Sequence, residues 1–351
     1  MSDGGAMAHG RDSTAAYGRE PVDRLFDGRG PALGIGTAAL AVPYGAPDAV
    51  RPAPSRAGAR RTLLAAVDRG VRFFDTAPAY GDAEALVGVA FGGREECVIA
   101  TKLAIPPAGW ESLSPREVRD HVRASAEASL WALCRERLDL LQVHNATPAL
   151  VCSGPVVEAL AELRADGLVA RLGVTVYGEA EALAAIEAPE IDFVQVPYSA
   201  LDRRPERHVL PAAAAAGKAV VARSLLLRGV LSPAGRALEG PFAPLALAAD
   251  RVRSALGATW AQLPGAAVAF AATRPGIVCA LLGPRDECEL AALLDGVEHF
   301  GAGAREVQLP APELPEALLD PSRWPARDLA PAADGGSAAR GRRPTEVAGG
   351  R

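Results

Sequence analysis

The sequence predicts an α/β protein in which eight strands close into one (β/α)8 barrel, the TIM-barrel class. Eight strongly apolar runs recur along the chain, as expected for strands buried on both faces of a parallel sheet. Most neighbouring runs are separated by stretches rich in Ala, Leu, Glu and Arg that have helical periodicity. Eight such units over about 250 residues fit a barrel of this class.

The strands are predicted from short apolar runs that are bounded by turn residues or by polar residues. They are residues 32–37, 71–77, 97–103, 138–144, 170–177, 192–198, 219–226 and 278–283. An open, doubly wound sheet is the alternative fold, and it requires a Gly-x-Gly-x-x-Gly turn after the first strand. The segment "GIGTAAL" supplies only the first two glycines, so the sequence favours the barrel.

The helices between the strands are predicted from apolar residues that recur every three or four positions. Residues 115–133 form one such helix, and residues 154–167 form another that Gly167 ends. Pro264 lies inside the helix that Thr259 is placed to cap. Because proline disrupts a helix interior, we expect either a kink or a later start there.

Composition excludes several classes of function. The chain has 351 residues, 49% of them hydrophobic, and a formal net charge of −5, which gives no reason to expect nucleic-acid binding. No apolar run is long enough to span a membrane. The five cysteines are scattered without a Cys-x-x-Cys pair, so we predict free thiols, no metal site and a cytoplasmic location.

The organisation we expect is a single domain with disordered ends. Residues 1–30 are predicted as a disordered leader, 31–325 as the barrel and 326–351 as a disordered tail rich in Gly, Ala, Pro and Arg. We expect a monomer or a small homo-oligomer.

Ionisable residues stand at the carboxyl ends of three successive predicted strands. Asp75, Lys102 and His144 end strands two, three and four, and Tyr80 follows strand two in the next loop. Each alone has an ordinary explanation, as a turn aspartate, a surface lysine, a half-buried histidine and a turn tyrosine. In a barrel, however, these strand ends converge on one face, where the active site lies. Together, the four residues therefore predict a catalytic site, and an apolar strand that ends at Asp75 requires a partner for its carboxylate.

Six segments, taken in order, resemble the aldo-keto reductase family. They are "FFDTAPAYGDAEALVG", "IATK", "LQVHN", "LGVTVYG", "QVPYSALDRR" and "ARSLLLRG", and the resemblance extends from about residue 31 to about residue 298. It implies a (β/α)8 barrel that binds a nicotinamide cofactor, usually the phosphorylated form, without a Rossmann domain. It also implies that Asp75, Tyr80, Lys102 and His144 form the catalytic tetrad.

The chemistry of carbonyl reduction accounts for these residue types. Hydride goes to carbon, and a proton must reach oxygen from a donor within hydrogen-bonding distance. Tyr80 is the expected proton donor, since a phenol gives up its proton more readily beside an ammonium group such as Lys102. Asp75 is expected to pair with Lys102 and hold it in place, and His144 is expected to polarise the carbonyl.

The resemblance also implies the residues that bind the cofactor. Gln195 matches the glutamine that holds the nicotinamide carboxamide, Thr175 stands where the family usually has serine, and Tyr198 matches a ring that stacks on nicotinamide. A core aromatic is the alternative for Tyr198. The remaining expected contacts are Gly36, Thr37, Asp75, Arg223, Ser224, Leu226, Gly229, Gly283, Arg285 and Glu289.

The segment after strand eight departs from the family pattern. Glu289 stands in place of glutamine, and residues 292–293 are Ala-Leu in place of Glu-Asn. Arg285 is suited to a 2′-phosphate and favours NADPH over NADH, whereas Glu289 nearby would repel that phosphate.

The function predicted is an NAD(P)H-dependent oxidoreductase that reduces an aldehyde or ketone to an alcohol. The residues of the matched segments most resemble those of family members that act on sugars or on intermediates of natural-product pathways. Two alternatives remain, a redox-neutral lyase or epimerase that retains NADP, and a non-catalytic, nicotinamide-binding regulatory subunit.

Overall fold

The computed structural model describes residues 32–46, 49–152, 154–309 and 314–324. Its strands confirm the predicted barrel, since eight parallel strands pair in chain order and the last closes on the first. The strands are β1 (Ala32–Gly36), β2 (Phe73–Asp75), β3 (Val98–Lys102), β4 (Leu138–Val143), β5 (Val169–Thr175), β6 (Phe193–Pro197), β7 (Ala219–Arg223) and β8 (Cys279–Leu282). The predicted leader and tail lie outside the described residues, as do Pro31 and Pro325 at the ends of the predicted barrel domain.

Helices alternate with these strands and surround the barrel. They are α1 (Ala38–Ala41), α2 (Arg56–Asp68), α3 (Ala83–Phe91), α4 (Pro115–Leu133), α5 (Pro148–Val151), α6 (Pro155–Ala165), α7 (Glu179–Glu187), α8 (Val209–Ala216), α9 (Ala243–Ala255), α10 (Leu263–Ala272), α11 (Glu287–Ala304) and α12 (Glu316–Leu319). Short 3-10 segments occur at Trp110–Ser112, Arg204–Glu206, Leu227–Gly229, Pro233–Ala237, Gly240–Phe242 and Pro321–Arg323.

Helix α4 has the bounds that the sequence predicts, and its caps explain why. Ser114 accepts a hydrogen bond from the backbone N–H of Glu117, while the Glu117 side chain accepts one from the backbone N–H of Ser114. This reciprocal capping box, with Pro115 at the first helical position, fixes the start of the helix. The helix ends where Cys134 adopts a left-handed conformation with φ = 53°.

Helix α10 starts later than Thr259, which is one of the two outcomes expected from Pro264. Thr259 and Gln262 bond each other reciprocally, with Gln262 N donating to Thr259 Oγ1 at 3.3 Å and Thr259 N donating to Gln262 Oε1 at 3.1 Å. The helix then begins at Leu263, so Pro264 falls in its first turn. A proline there loses no intrahelical hydrogen bond, since the first N–H groups of a helix have no partner.

The barrel interior is filled by a layer of apolar side chains, which we call the inner layer. Its members are Phe73, Ala100, Leu140, Phe193, Ala219, Val221, Cys279 and Leu281. Because side chains alternate along a strand, residues two positions further on also face the interior. On five strands these are polar or charged, namely Asp75, Lys102, Gln142, Gln195 and Arg223. The inner layer is therefore the floor of a polar cluster at the carboxyl end of the barrel, which we call the barrel mouth.

The described ranges hold no helix long and apolar enough to cross a membrane. Within the same residues, no group of three His, Cys, Asp or Glu side chains is arranged to hold a metal ion. All five cysteines are free, as predicted; Cys97 and Cys279 are buried, and Cys134, Cys152 and Cys288 are exposed.

Candidate active site

Lys102 and Asp75 form an ion pair at the barrel mouth. Lys102 Nζ lies 2.6 Å from Asp75 Oδ2, and the two residues are only 1% and 3% exposed. Nζ also donates to the backbone oxygen of Thr76 at 2.8 Å. The structure confirms that Lys102 is the partner of the strand-end carboxylate.

The second carboxylate oxygen of Asp75 accepts two further hydrogen bonds. Gln142 Nε2 donates to Oδ1 at 3.0 Å, and Gln195 Nε2 donates to the same oxygen at 2.8 Å. Both glutamines are buried. Gln195 is one of the predicted site residues, but Gln142 is not. Its signal in the sequence is its position two residues before His144, because the alternation of β4, continued to the residue that follows it, places both side chains on the inward face.

Tyr80 is brought over this ion pair by a tight turn after β2. Its backbone N–H bonds the oxygen of Ala77 at 3.0 Å, and Gly81 follows with φ = +61°, a left-handed conformation that glycine adopts without strain. Lys102 Nζ lies 5.0 Å from the centroid of the Tyr80 ring. The structure therefore places the predicted proton donor beside the ammonium group.

His144 completes the cluster from the end of β4. Its ring is perpendicular to that of Tyr80, with 6.0 Å between the two centroids. Burial lowers its pKa to about 4, as does the charge of Lys102, with Asp75 opposing and Arg223 adding a smaller effect. The imidazole is therefore neutral at pH 7, so that one ring nitrogen carries a proton it can donate.

The segment that follows His144 is fixed by Thr175 at the end of β5. Asn145 N donates to Thr175 Oγ1 at 2.9 Å, and Ala146 N donates to the Thr175 backbone oxygen at 2.8 Å. Thr175, a predicted cofactor contact, therefore orders the chain directly after His144.

The cluster combines two potential hydrogen-bond donors, Tyr80 and His144, with the buried Lys102–Asp75 ion pair. A carbonyl oxygen located between Tyr80 and His144 could accept a hydrogen bond from each, and Lys102 lies beneath the phenol ring. Developing negative charge on that oxygen is favoured in such a setting, because the donors are already oriented. The arrangement suits proton transfer to a substrate oxygen.

Comparison with protein families assigns the chain to a family. The family model described as the aldo/keto reductase family matches residues 32–299, which is most of the chain. The chain belongs to the aldo/keto reductase family. The resemblance inferred from its six sequence segments is thereby confirmed.

Three of the similar proteins come from bacteria. The chain is 32% identical over 178 residues to aldo-keto reductase YhdN of Bacillus subtilis (49% of this chain, 53% of the relative). It is 30% identical over 193 residues to the NADH-specific methylglyoxal reductase of Escherichia coli (49% and 57%). It is 33% identical over 242 residues to pyridoxal 4-dehydrogenase of Microbacterium luteolum (57% and 68%). The chain thus spans little more than half the length of the first two relatives.

Solved structures share the fold of this aldo-keto reductase. AKR11C1 from Bacillus halodurans, in its holo form, superposes with a TM-score of 0.63 at 22% identity, covering 80% of this chain and 93% of that one. Glycerol dehydrogenase AKR11B4 from Gluconobacter oxydans gives a TM-score of 0.59 at 23% identity, covering 78% and 89%. Together with the closed sheet, they establish the (β/α)8 barrel.

Tyr198 is the predicted site residue that this aldo-keto reductase keeps away from the mouth. It is 0% exposed, and its hydroxyl donates to Glu206. Burial raises its pKa, and the Glu206 carboxylate raises it further. Since Gln195 faces inward, alternation turns Tyr198 outward toward the helices. The expectation of a ring stacked on nicotinamide is corrected here, because Tyr198 has no exposed face and is a core aromatic.

The loop after β7 has an unusual backbone. Ser224, Leu227 and Arg228 adopt positive φ values of 60°, 45° and 53°, and Gly229 follows with φ = +94°. Left-handed conformations of residues other than glycine cost energy and persist where the surrounding structure holds them. Arg228 lies over the ring of Tyr44, 5.2 Å from its centroid, and its Nε is buried without a partner among the described residues.

A second guanidinium stands at the loop after β8. Arg285 Nη2 donates to the backbone oxygen of Pro52 at 2.7 Å, while its Nε is buried and has no partner in the described part of the chain. Glu289 Oε2 accepts the backbone N–H of Arg285 at 3.0 Å, and its Oε1 lies 3.4 Å from Arg51 Nη1. Glu289 is therefore already balanced by a cation.

The donor set fits a dinucleotide cofactor. Two guanidinium groups on neighbouring loops each keep a buried N–H without a partner among the described residues, and guanidinium groups bind phosphates well. The other predicted contacts lie at strand ends or in the same loops. Gly36 ends β1, and Thr37 Oγ1 donates to the Asp75 backbone oxygen at 3.1 Å. Leu226 lies in the loop after β7, and Gly283 follows β8.

Proposed function

We propose that this aldo-keto reductase reduces an aldehyde or ketone to an alcohol, with NADPH as the preferred cofactor. The observation that carries the proposal is the position of Tyr80 and a neutral His144 around one space, with the buried Lys102–Asp75 pair beneath Tyr80. A nicotinamide cofactor, when bound, supplies the hydride. The chain's own residues handle the proton and the developing charge on oxygen.

Each residue of the cluster has a distinct part in the proposed reaction. Tyr80 donates its hydroxyl proton to the substrate oxygen as the carbonyl carbon is reduced, and Lys102 stabilises the phenolate that remains. His144 donates a hydrogen bond to the same oxygen and fixes its orientation. Asp75 keeps Lys102 charged and immobile, and Gln142 and Gln195 in turn hold Asp75.

The preference for NADPH is proposed from the charges near the loop after β8. Arg51 pairs with Glu289, which removes much of the repulsion that a 2′-phosphate would meet, and Arg285 keeps an unbonded N–H. One relative is named an NADH-specific methylglyoxal reductase, so membership of the family does not decide the cofactor. Steady-state KM values for NADPH and NADH test the proposal. Arg285→Leu should lower the preference for NADPH and Glu289→Gln should increase it, whereas a wild-type preference for NADH would contradict it.

The substrate is proposed to be a small, polar carbonyl compound, such as a sugar-derived or natural-product intermediate. One support is the resemblance of the matched segments to family members that act on such compounds. The other is the names of two relatives, pyridoxal 4-dehydrogenase and the D-threo-aldose 1-dehydrogenase of a Pseudomonas species. Only 5% of residues are aromatic, which also suits a polar substrate better than a polycyclic one.

The deciding experiment follows the nicotinamide absorbance while the protein is incubated with NADPH and a panel of aldehydes and keto-sugars. We expect net oxidation of NADPH together with formation of the alcohol. Product formed without net oxidation would instead indicate a redox-neutral lyase or epimerase. Cofactor binding with no turnover of any compound would indicate a regulatory subunit.

A further inference from the structure

Arg223 is a charged residue on the inward face of the barrel. Val221, two positions earlier on β7, belongs to the inner layer, so alternation places Arg223 above it at the mouth. Corresponding positions on β2, β3 and β6 hold Asp75, Lys102 and Gln195. Arg223 is therefore part of the polar cluster by position, and it is half-buried there.

The side chain of Arg223 is held rigidly by three contacts. Its Cζ lies 4.3 Å from the centroid of the Tyr177 ring. Nη2 donates to the backbone oxygen of Val176 at 3.0 Å, and Nη1 donates to Ser224 Oγ at 3.2 Å. A guanidinium has five N–H donors, so these two bonds leave others for a ligand.

Arg223 has no acidic partner among the described residues, unlike Arg51, which pairs with Glu289, or Arg204, which pairs with Asp202. All three of its contacts are neutral groups. A half-buried cation without a counter-ion is unfavourable unless a ligand supplies the negative charge.

The guanidinium of Arg223 acts electrostatically on His144, one of the two candidate donors. Burial, Lys102 and Arg223 all lower the pKa of His144, and among the described residues only the Asp75 carboxylate opposes them. Asp75 is already bonded to Lys102. Burial raises the pKa of Tyr44, and Arg228 and Arg223 both oppose that rise. Arg223 is thus within electrostatic range of Tyr44 and His144, in a mouth with an excess of positive charge.

We propose that Arg223 binds an anionic group of the substrate, so that the preferred substrates are carbonyl compounds bearing a carboxylate or a phosphate. The planar guanidinium matches either group with two parallel hydrogen bonds. This inference rests on the proposed carbonyl reduction and specifies its substrate class. It also changes the expected role of Arg223, from a cofactor contact to a residue that determines substrate specificity.

The test uses two pairs of aldehydes that differ in one anionic group. Succinic semialdehyde is compared with butanal, and glyceraldehyde 3-phosphate with glyceraldehyde, each at saturating NADPH. The wild-type protein should favour the anionic member of at least one pair by about tenfold or more in kcat/KM, as one charge-assisted contact provides. The pair that shows the preference identifies the carboxylate or the phosphate.

Variants of Arg223 assign the preference to that residue. Arg223→Gln should remove it, mainly through a higher KM for the anionic aldehyde, and Arg223→Lys should retain part of it. Arg228→Gln is the matched variant in the same loop, and it should raise the Kd for NADPH without altering the ratio within either pair. The inference is overturned if neither pair shows a preference in the wild-type protein. It is also overturned if Arg223→Gln raises the Kd for NADPH and reduces turnover of both pair members equally, since Arg223 then contacts the cofactor.

A binding measurement separates this inference from the proposed function. Titration calorimetry with succinate and with inorganic phosphate, in the presence of NADP, measures the anion site without any turnover. If no aldehyde is reduced but one anion binds at least about tenfold more weakly to Arg223→Gln, the anion site stands and the reductase function falls. If neither anion binds the wild-type protein and no aldehyde is reduced, both fall.

Discussion

The ammonium of Lys102 lies 2.6 Å from the carboxylate of Asp75, with both side chains almost completely removed from solvent. Such a pair contributes little net stability, because desolvation of the charges offsets their attraction. The pair instead fixes the position of the Lys102 ammonium, which lies 5.0 Å from the centroid of the Tyr80 ring. The pair holds a positive charge beside the proposed proton donor.

Asp75 and Lys102 are expected to act as a unit. Lys102→Met should destabilise the fold by about 3–5 kcal/mol, since it leaves a buried carboxylate without its cation, and it should also slow catalysis. Asp75→Asn should disturb the fold less, because the amide oxygen can still accept from Nζ. We expect the losses in log kcat/KM to be clearly less than additive in the double variant. Losses that simply sum would show that the two residues work independently.

His144 is expected to stay neutral through the physiological pH range. With a pKa near 4, its ring resonances in NMR should not titrate between about pH 5.5 and 8, and comparison with His144→Gln assigns them. A base whose pKa is lowered on folding contributes stability above its unfolded pKa of 6.5, and that stability is lost as pH falls toward 4. His144→Gln should lack this part of the acid destabilisation. A midpoint near 6.5 for His144 would contradict the burial argument.

Glu84 is a buried acid that the proposed reaction does not use. It is 8% exposed, accepts a hydrogen bond from Thr101 Oγ1 at 2.6 Å, and has its pKa raised by burial. For an acid whose pKa is raised on folding, stability is greatest below the unfolded value of 4.5 and is lost as pH rises through the folded value.

Urea unfolding midpoints across the acidic to neutral range test this expectation. The wild-type midpoint should fall with rising pH relative to that of Glu84→Gln, which keeps the shape of the side chain without the charge. Glu298→Gln, an exposed position on α11, is the control and should follow the wild type. Parallel curves for Glu84→Gln and the wild-type protein would mean that ionisation of Glu84 does not change the free energy of unfolding.

The barrel could be predicted from sequence because its signals are local. Apolar runs separated by periodic helices specify eight strands, and the capping box at Ser114 and Glu117 specifies the start of α4. The clustering of Asp75, Tyr80, Lys102 and His144 could be predicted because the fold brings strand ends to one face. The alternation of side chains along a strand also explains two further positions. Gln142, two residues after the inward-facing Leu140, lies at the mouth, and Tyr198, three residues after the inward-facing Gln195, lies on the outer face.

Other features could not be predicted because they depend on contacts between distant segments. Arg223 rests on Tyr177, which is 46 positions away in the chain, and Arg51 reaches Glu289 across the closure of the barrel. No local pattern encodes such pairs, since long side chains choose partners only after the strands and helices have packed.

The central claim is that Tyr80 delivers the proton to a carbonyl oxygen. The variant Tyr80→Phe removes one hydroxyl and keeps the ring over Lys102, so the fold and the Kd for NADPH should be unchanged. Tyr177→Phe is the control, since it removes a hydroxyl from another tyrosine near the mouth and keeps the ring beneath Arg223.

The most direct measurement is kcat for reduction of an aldehyde by the wild-type protein, Tyr80→Phe and Tyr177→Phe at saturating NADPH. We expect Tyr80→Phe to lose about 10²–10⁴-fold, the usual effect of removing a general acid, and Tyr177→Phe to stay within the same order of magnitude as the wild type. Turnover near the wild-type value in a folded, cofactor-saturated Tyr80→Phe protein would contradict the assignment of Tyr80 as the proton donor.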